Sequence, residues 1–493
     1  MKIGIVGGGI AGLSTAKTLK ACGFEVVLFE KEADVGGVWS ASRRYPGLTT
    51  QNPRDTYAFS DFPMPKSYPE WPSGAQMQAY LEAYVDHFRL GDVVKLGAEV
   101  VSASPLPNAS GWTLKVRASG VEESLEVDWL IVCNGIFSIP AVPDFEGADA
   151  FTAASGLILH TSQFTDIARA RNKHVLVVGY GKSSCDVANA VAGESASTTV
   201  IARSLIWKIP KKLMNVLNFK HLFLTRLGEG LFKYIEVKGF EKFLHGPGVG
   251  VRNSMLASVQ GVIAGQLKLK EVGLLPDKPL ETIARSTVSL VTDGFYEKIQ
   301  AGDLTIKVGA QIKSLRAGQA TLSTGETVPA DVIVCGTGWD QKVPFLSPEI
   351  LAKVTDARGV FRLYRSMIPT GVERLAFNGY NSSFFSQLNA EVSALWLAEL
   401  ISGAPILPPE AEREAYIDTR LAWMEARTDG KHSKGTNIIP FSVHHMDELQ
   451  EEMGLRLPLP TRLKHWLMAI NAKDYAPLHR RLLRRRGLRA KAA

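Results

Sequence analysis

The sequence predicts an α/β protein made of two doubly wound parallel-sheet units, the second inserted into the first. Three observations carry this. A glycine-rich turn, Gly7-Gly8-Gly9-Ile10-Ala11-Gly12, follows the apolar run Ile3-Gly4-Ile5-Val6. A second, Gly179-Tyr180-Gly181-Lys182-Ser183-Ser184, follows Val175-Leu176-Val177-Val178. A buried-strand pattern that breaks at a glycine turn occurs at 129–135 and recurs at 331–338. Such turns let a chain pass between domains, so the second unit is expected to interrupt the first.

A strand that breaks into G-x-G-x-x-G and then a helix is a dinucleotide site, and both units are therefore Rossmann-like dinucleotide-binding domains. The glycines allow a tight turn and a close backbone approach, and the helix N-terminus faces the pyrophosphate. Gly7, Gly9 and Gly12 hold these positions in the first unit. Gly179 and Gly181 hold them in the second, with Ser183 and Ser184 closing the turn. Residues 24–29 read as a second strand ending at Glu30, 23 residues after Gly7. A carboxylate there accepts hydrogen bonds from both ribose hydroxyls and repels a 2′-phosphate. The first unit is expected to hold FAD or NAD. The run Thr198-Thr199-Val200-Ile201-Ala202 ends instead at Arg203. A guanidinium matches a phosphate in fork geometry, which favours NADPH in the second unit. Two facing nucleotides imply electron transfer between them.

Composition narrows the class. A chain of 493 residues suits two or three domains, and its 45% apolar share supports full cores. No run of 18 apolar residues occurs, so no transmembrane segment is expected. Only Met1 and Lys2 precede the first strand, so no signal or transit peptide is expected. Cys22, Cys133, Cys185 and Cys335 form no metal or disulfide spacing, and a reducing, cytoplasmic compartment is expected. The net charge of +7 equals the seven cations between Arg480 and Lys491. The remaining chain is neutral on balance, so nucleic acid is not an expected partner. The basic tail, 479–493, reads as a solvated, partly helical segment that allows peripheral contact with an anionic membrane surface.

Residues 1–168 are expected to form the first part of the FAD-binding domain. Within them, 40–75 is rich in Pro, Tyr and Trp and is expected to wrap a ligand pocket. A helix is expected over 76–88, with Met77, Tyr80, Leu81, Tyr84, Val85 and Phe88 as its core stripe. Residues 169–330 are expected to form the NADPH-binding domain. It carries a helical insertion at about 205–285, with helix around 213–244, read as a cap, an access lid or a membrane-surface patch. The FAD-binding domain is expected to resume over 331–478.

Together these residues resemble the flavin-containing monooxygenases, which use FAD and NADPH. The resemblance covers most of residues 1–400. Gly36-Gly37-Val38-Trp39 resembles the family's G-G-x-W flavin loop, which implies cofactor contacts for Gly37 and Trp39. Phe59-Ser60-Asp61-Phe62-Pro63 resembles its F-x-D-F-P segment. Gly179, Gly181, Ser183 and Asp186 match G-x-G-x-S-x-x-D. Cys335-Gly336-Thr337-Gly338-Trp339 resembles the A-T-G-Y turn, which adds Thr337 and Gly338 to the cofactor-binding set. Phe377-Asn378-Gly379 and residues 388–396 resemble the return segment over the flavin.

The resemblance implies an enzyme similar to the N,N-dimethylaniline monooxygenases. NADPH reduces FAD, and O2 then gives a flavin C4a-hydroperoxide that oxygenates nitrogen or sulfur of a small organic substrate. The family places an amide beside the flavin before F-x-D-F-P. That position falls on Gln51 or Asn52, and both are candidate catalytic residues. In the family fingerprint Gly156, His160 and Phe164 fit, while Ala154 stands at the first position. The Phe164 ending leans towards nitrogen or sulfur oxygenation. His160 is expected to be an interdomain linker residue and not a general base. Arginines replace the C-terminal hydrophobic anchor of mammalian members, as in soluble microbial and fungal ones. The alternatives are Baeyer–Villiger oxygenation of a ketone and a non-oxygenating, NADPH oxidase-like flavoprotein. A disulfide-reductase type needs a close cysteine pair, which is absent from the sequence.

Overall fold

The computed structural model describes residues 1–285, 289–428 and 434–488. The first strand, Lys2–Val6, is apolar on both faces, and Ile3 and Ile5 are fully buried. That suits a parallel strand covered on both sides. It pairs in parallel with Glu25–Phe29 and with Trp129–Val132. Leu375–Phe377 and Val94–Lys95 complete a five-stranded sheet at its two edges. The helix Ile10–Ala21 lies against the helix Ser386–Ile401 on one face. An antiparallel sheet of Ala98–Pro105, Trp112–Ala118 and Val121–Val127 covers the other. Gly4 permits this closeness: a Cβ there would lie 2.9 Å from Leu114.

The second sheet is also five-stranded and parallel. Its order is Thr305–Val308, Ser197–Ala202, His174–Val178, Val332–Cys335, Leu157–His160. Two of these strands lie outside the 169–330 range expected for the second unit. Val332–Cys335 pairs with the central strand, and Leu157–His160 pairs with Val332–Cys335. Flanking strands carry no motif of their own, so the glycine turn does not reveal them. The chain re-enters the first sheet only at Leu375–Phe377.

Local chemistry moved other boundaries. The helix expected over 76–88 spans Gly74–His87. Ser73 and Gln76 form a capping box, which starts it two residues early. Its Met77, Tyr80, Leu81 and Tyr84 are buried as expected. The stretch 213–244 is not mainly helical. A hairpin of Lys212–Leu213 and Leu217–Asn218 opens it, with Met214 and Asn215 in the left-handed region. Short helices Lys220–Phe223, Arg226–Gly230 and Phe240–Leu244 follow. The long helix of the insertion is Val249–Gln266. The C-terminal basic segment is helical as far as it is described, with one face packed while Arg480, Arg481, Arg484 and Arg485 stay exposed. The helix Ala476–Arg485 buries Leu478, Leu482 and Leu483, and Arg485 reaches Glu399 and the Met453 carbonyl. Residues 489–493 lie outside the described residues.

One buried charge cluster joins the insertion to the C-terminal helices. Glu229 accepts from the backbone N–H groups of Val443 (2.9 Å) and His444 (2.8 Å) in the first turn of Ser442–Glu452. The two ring nitrogens of His444 face Glu229 and Glu241. Burial opposes the charged ring, but these two carboxylates raise its pKa to about 10. The folded pKa lies above the unfolded one of about 6.5. The pair's stabilisation is therefore complete below about pH 6.5 and is lost as pH rises towards about 10. The melting-temperature gap between wild type and His444→Gln is expected to shrink by several degrees across this window. A gap that stays constant in calorimetry excludes the charged pair as its source.

Candidate active site at the two glycine turns

The first turn is shaped by backbone contact. Gly7 has φ +114°, and a Cβ there would lie 2.4 Å from the Cys133 carbonyl oxygen. A Cβ on Gly12 would lie 1.8 Å from the Gly7 carbonyl oxygen. Only glycine lets the helix start this close to the sheet edge. Gly9 is the N-cap of Ile10–Ala21, with no capping side chain and no acid in the first turn. The first amides of the helix are left for an external acceptor, at its positive end. A pyrophosphate fits that opening.

Glu30 closes the turn. It is buried, and its Oε2 accepts from Gly8 N–H at 2.6 Å while Oε1 accepts from Glu32 N–H at 2.9 Å. Burial raises its pKa, and the two amides counter that. The loop with Gly36 and Gly37 folds over the same turn: Gly36 N–H donates to Gly8 O at 3.0 Å, and Gly37 packs on Gly9. Trp39 is buried against Tyr57, with ring centroids 6.1 Å apart. The return segment arrives here too. Asn378 Nδ2 donates to Thr15 Oγ1 (2.9 Å) and to the Ala390 carbonyl (3.0 Å). The structure thus brings Gly7, Gly9, Gly12, Glu30, Gly37 and Trp39 into one cradle.

The second turn repeats the construction. Gly179 has φ +112°, and a Cβ there would lie 2.7 Å from the Gly336 carbonyl oxygen. Gly181 caps Lys182–Val191, again without a capping side chain or a first-turn acid. A Cβ on Gly181 would meet nothing within 4 Å, so its open side faces away from the protein. Ser183 is half-buried and makes no hydrogen bond with the described residues. Ser184 differs: it is fully buried and donates to the Gly336 carbonyl at 3.3 Å. Its hydroxyl braces the turn from behind. Arg203 follows the strand Ser197–Ala202, is exposed, and makes no hydrogen bond with the described residues.

Sequence reading missed one group at this turn, Lys208, and the partners of another, Asp186. Lys208 is buried, and its Nζ donates to the Tyr180 carbonyl (2.9 Å) and Ser289 Oγ (3.2 Å), 4.5 Å from the Tyr180 ring centroid. No carboxylate faces it among the described residues, so it adds uncompensated positive charge beside the second turn. Asp186 is buried and accepts from Lys182, Thr292 and, at 3.3 Å, from Tyr45 of the first unit. The contacts with Thr292 and Tyr45 cross more than a hundred positions, and local spacing carries no trace of them.

Other predicted residues hold the junction between the units. Ile139–Pro140 pairs antiparallel with Trp339–Asp340. Thr337 Oγ1 donates to the Ala141 carbonyl, and the Gly338 carbonyl accepts from Ala141 N–H at 3.1 Å. His160 Nε2 donates to that same carbonyl at 3.0 Å, and its Nδ1 accepts from Ser162 N–H at 3.2 Å. Burial lowers its pKa, and Arg43 lowers it further. A neutral ring with both nitrogens engaged is a linker. Asn52 is buried and its Nδ2 donates to the Phe384 carbonyl. Gln51 is exposed, and its Oε1 accepts from Leu290 N–H at 3.1 Å.

Replacing Glu30 by Ala removes the carboxylate that closes the first turn. Hydrogen bonds to a charged group contribute about 1.5–3 kcal/mol, so FAD retention is expected to fall about tenfold or more. Visible absorbance per purified protein, beside an unchanged far-UV circular dichroism spectrum, checks this. Full retention of colour would exclude Glu30 as the ribose acceptor.

Comparison with known proteins agrees with this geometry. A family profile described as FMO-like, flavin-binding monooxygenase-like, matches residues 1–469. Probable flavin-containing monooxygenase 1 of Arabidopsis thaliana is 26% identical over 513 residues, covering 95% of this chain and 94% of its own. Flavin-containing monooxygenase 3 of Oryctolagus cuniculus is 24% identical over 489 residues, covering 93% and 84%. The solved S-allyl-L-cysteine S-oxygenase from Allium sativum is similar in fold, with a TM-score of 0.65 at 19% identity, covering 99% of this chain and 97% of its own. The closed structure of cyclohexanone monooxygenase gives 0.70 at 18% identity, covering 92% and 98%. A match that runs from the first strand to residue 469, across both glycine turns, settles the family: this chain belongs to the flavin-binding monooxygenases.

Proposed function

We propose that this chain is an NADPH-dependent FAD monooxygenase that transfers one oxygen of O2 to nitrogen or sulfur of a small organic substrate. One observation carries the reading: two nucleotide seats built alike but closed by opposite charges, Glu30 at one and Arg203 at the other. FAD, when bound, supplies hydride acceptance and oxygen activation. The protein binds and orients the two nucleotides and excludes water. Glu30 receives the ribose of FAD, and the amides behind Gly9 receive its pyrophosphate. Gly181 and Ser183 receive the pyrophosphate of NADPH, and Arg203 receives its 2′-phosphate. The uncompensated charge of Lys208 supports an anionic ligand at that turn. Buried, free cysteines support a reducing, cytoplasmic setting.

The amide beside the flavin is Gln51 in this reading. Asn52 spends one of its two Nδ2 N–H donors on the Phe384 carbonyl, whereas Gln51 uses only its oxygen and keeps both. Removing such a donor from a dry site raises the barrier by roughly 2.7–4 kcal/mol. The second reading is Baeyer–Villiger oxygenation, favoured by the fold likeness to cyclohexanone monooxygenase. The third is an NADPH oxidase-like flavoprotein.

Product analysis with a thioether and a cyclic ketone separates the first two readings: sulfoxide without ester is expected. Hydrogen peroxide equal to all NADPH consumed, with every substrate, would instead favour the third. Arg203→Ala is expected to raise the KM for NADPH about tenfold or more while leaving NADH unchanged. Equal loss with both reductants would remove its phosphate-reading role. Gln51→Ala is expected to slow oxygenation while reduction of the flavin by NADPH persists in stopped flow. Unchanged turnover would transfer the role away from Gln51.

A further inference from the structure

The apolar surface of this protein is unevenly placed. Eleven of its eighteen exposed large apolar residues, among those described, lie on three short segments, 212–218, 240–251 and 459–468. On the hairpin, Met214 and Val216 point outward, with Val216 83% exposed. On the helix Leu459–Leu467, Leu459, Leu463 and Leu467 recur every fourth residue on one face, with Leu467 76% exposed. That is an amphipathic helix with its apolar stripe turned outward. The expected place for such a stripe is a core.

The three segments are joined. The helix Val249–Gln266 presents Val251, Met255 and Val259 along one groove-lined face. At its far end Gln266 continues that face and pins the hairpin, accepting from Met214 N–H at 2.8 Å and donating to the Lys212 carbonyl at 2.9 Å. At its near end Phe243 packs where a Cβ on Gly248 would lie 2.4 Å from the ring. Phe240 meets Trp466 edge-on, with centroids 5.8 Å apart. The helix of 18 residues separates the two ends by about 27 Å. The result is one apolar ridge.

Charge selects its partner. Lys212, Lys242 and Arg462 lie on the three segments and form no ion pair among the described residues. The acids between 212 and 251 are engaged: Glu229 and Glu241 face His444, and Glu236 pairs with Lys238 at 3.1 Å. The helix Leu459–Leu467 carries no acid. A second copy docking face to face would bring uncompensated cations together. An anionic lipid surface satisfies both the cations and the apolar side chains. No helix among the described residues is long and apolar enough to cross a membrane.

We infer that this ridge, built from the insertion and the helix Leu459–Leu467, seats the protein peripherally on an anionic lipid bilayer. Leucines and phenylalanines enter the acyl boundary, Trp466 sits at headgroup level, and Lys212, Lys242 and Arg462 meet lipid phosphates. The arginines of the final helix are partly tied to the protein body, so this surface is distinct from the basic tail.

The test is co-sedimentation of the full-length holoprotein with phosphatidylcholine vesicles containing about one-third phosphatidylglycerol, beside pure phosphatidylcholine. Wild type is expected to partition onto the mixed vesicles and more weakly onto the neutral ones. The double variant Leu463→Glu/Leu467→Glu is expected to lose partitioning more than about tenfold while its NADPH oxidation in solution is unchanged. Val121→Glu, at an exposed apolar site elsewhere, is expected to bind like wild type. Lys212→Glu/Lys242→Glu is expected to weaken binding to mixed vesicles only. Wild-type protein that stays in the supernatant with both vesicles overturns the inference. So does undiminished binding of the leucine double variant, or a dimer in sedimentation velocity that this variant abolishes. None of these outcomes bears on the flavin chemistry.

Discussion

Close contact between a helix start and the end of its own sheet governs this structure. At Gly12 a single methyl carbon would come within 1.8 Å of the Gly7 carbonyl oxygen. The absence of that carbon lets the helix point its free amides at one spot, beyond the strand end. The other close contact of this turn, Gly7 against the Cys133 carbonyl, is made again at Gly179 against Gly336. Each seat is thus made of backbone, and backbone is rigid. In the proposed reading, selectivity is left to the residue at the end of the neighbouring strand, Glu30 or Arg203, and one architecture produces two sites of opposite charge preference.

The two seats need a fixed relation, and the crossover supplies it. The chain passes between the sheets at 139–140 and again at 339–340, and these passages pair with each other. His160 ends the last strand of the second sheet and bonds to Gly338 on the returning passage. Its ring packs edge-on to Trp339, 4.6 Å between centroids, with Arg43 over the other ring. Burial lowers the pKa of this imidazole, which favours its neutral form at the junction. A second tie runs through Tyr45 and Asp186. Nucleotide seats joined this way are held by hydrogen bonds at their margins and leave the space between them to ligands.

The F-x-D-F-P segment is anchored rather than chemical. Ser60 N–H donates to Glu391 at 2.8 Å, and Asp61 pairs with Lys17 at 2.5 Å. Lys17 stands on the first helix and Glu391 on the return helix Ser386–Ile401. Burial first, then the Asp61 charge, holds the Glu391 carboxyl well above the usual range. This polar knot locks the loop, the first helix and the return segment together behind the cradle. Its members are far apart in sequence, and each looks ordinary alone.

Legibility followed the range of the physics. The glycine turns, Glu30, Arg203 and the parallel strands were readable because a tight turn, a strand end and a buried apolar run are local facts. The core stripe of the helix Gly74–His87 was readable for the same reason. The capping box moved its start, and the true shape of 213–244 depended on backbone conformations at Met214 and Asn215 that composition does not reveal. Ser184 faced inward although it stood in the motif, because orientation on a helix is decided by what packs behind it. Lys208, the strand Leu157–His160 and the outward stripe of Leu459–Leu467 had no sequence signal that separates them from ordinary residues. The sequence alone determined two nucleotide seats and their opposite charges, since those reside in turns and the residues beside them. Only tertiary structure decided which hydroxyl of the second turn faces inward, which lysine is left without a counter-charge and which apolar face stays uncovered, since each depends on partners brought in from distant parts of the chain.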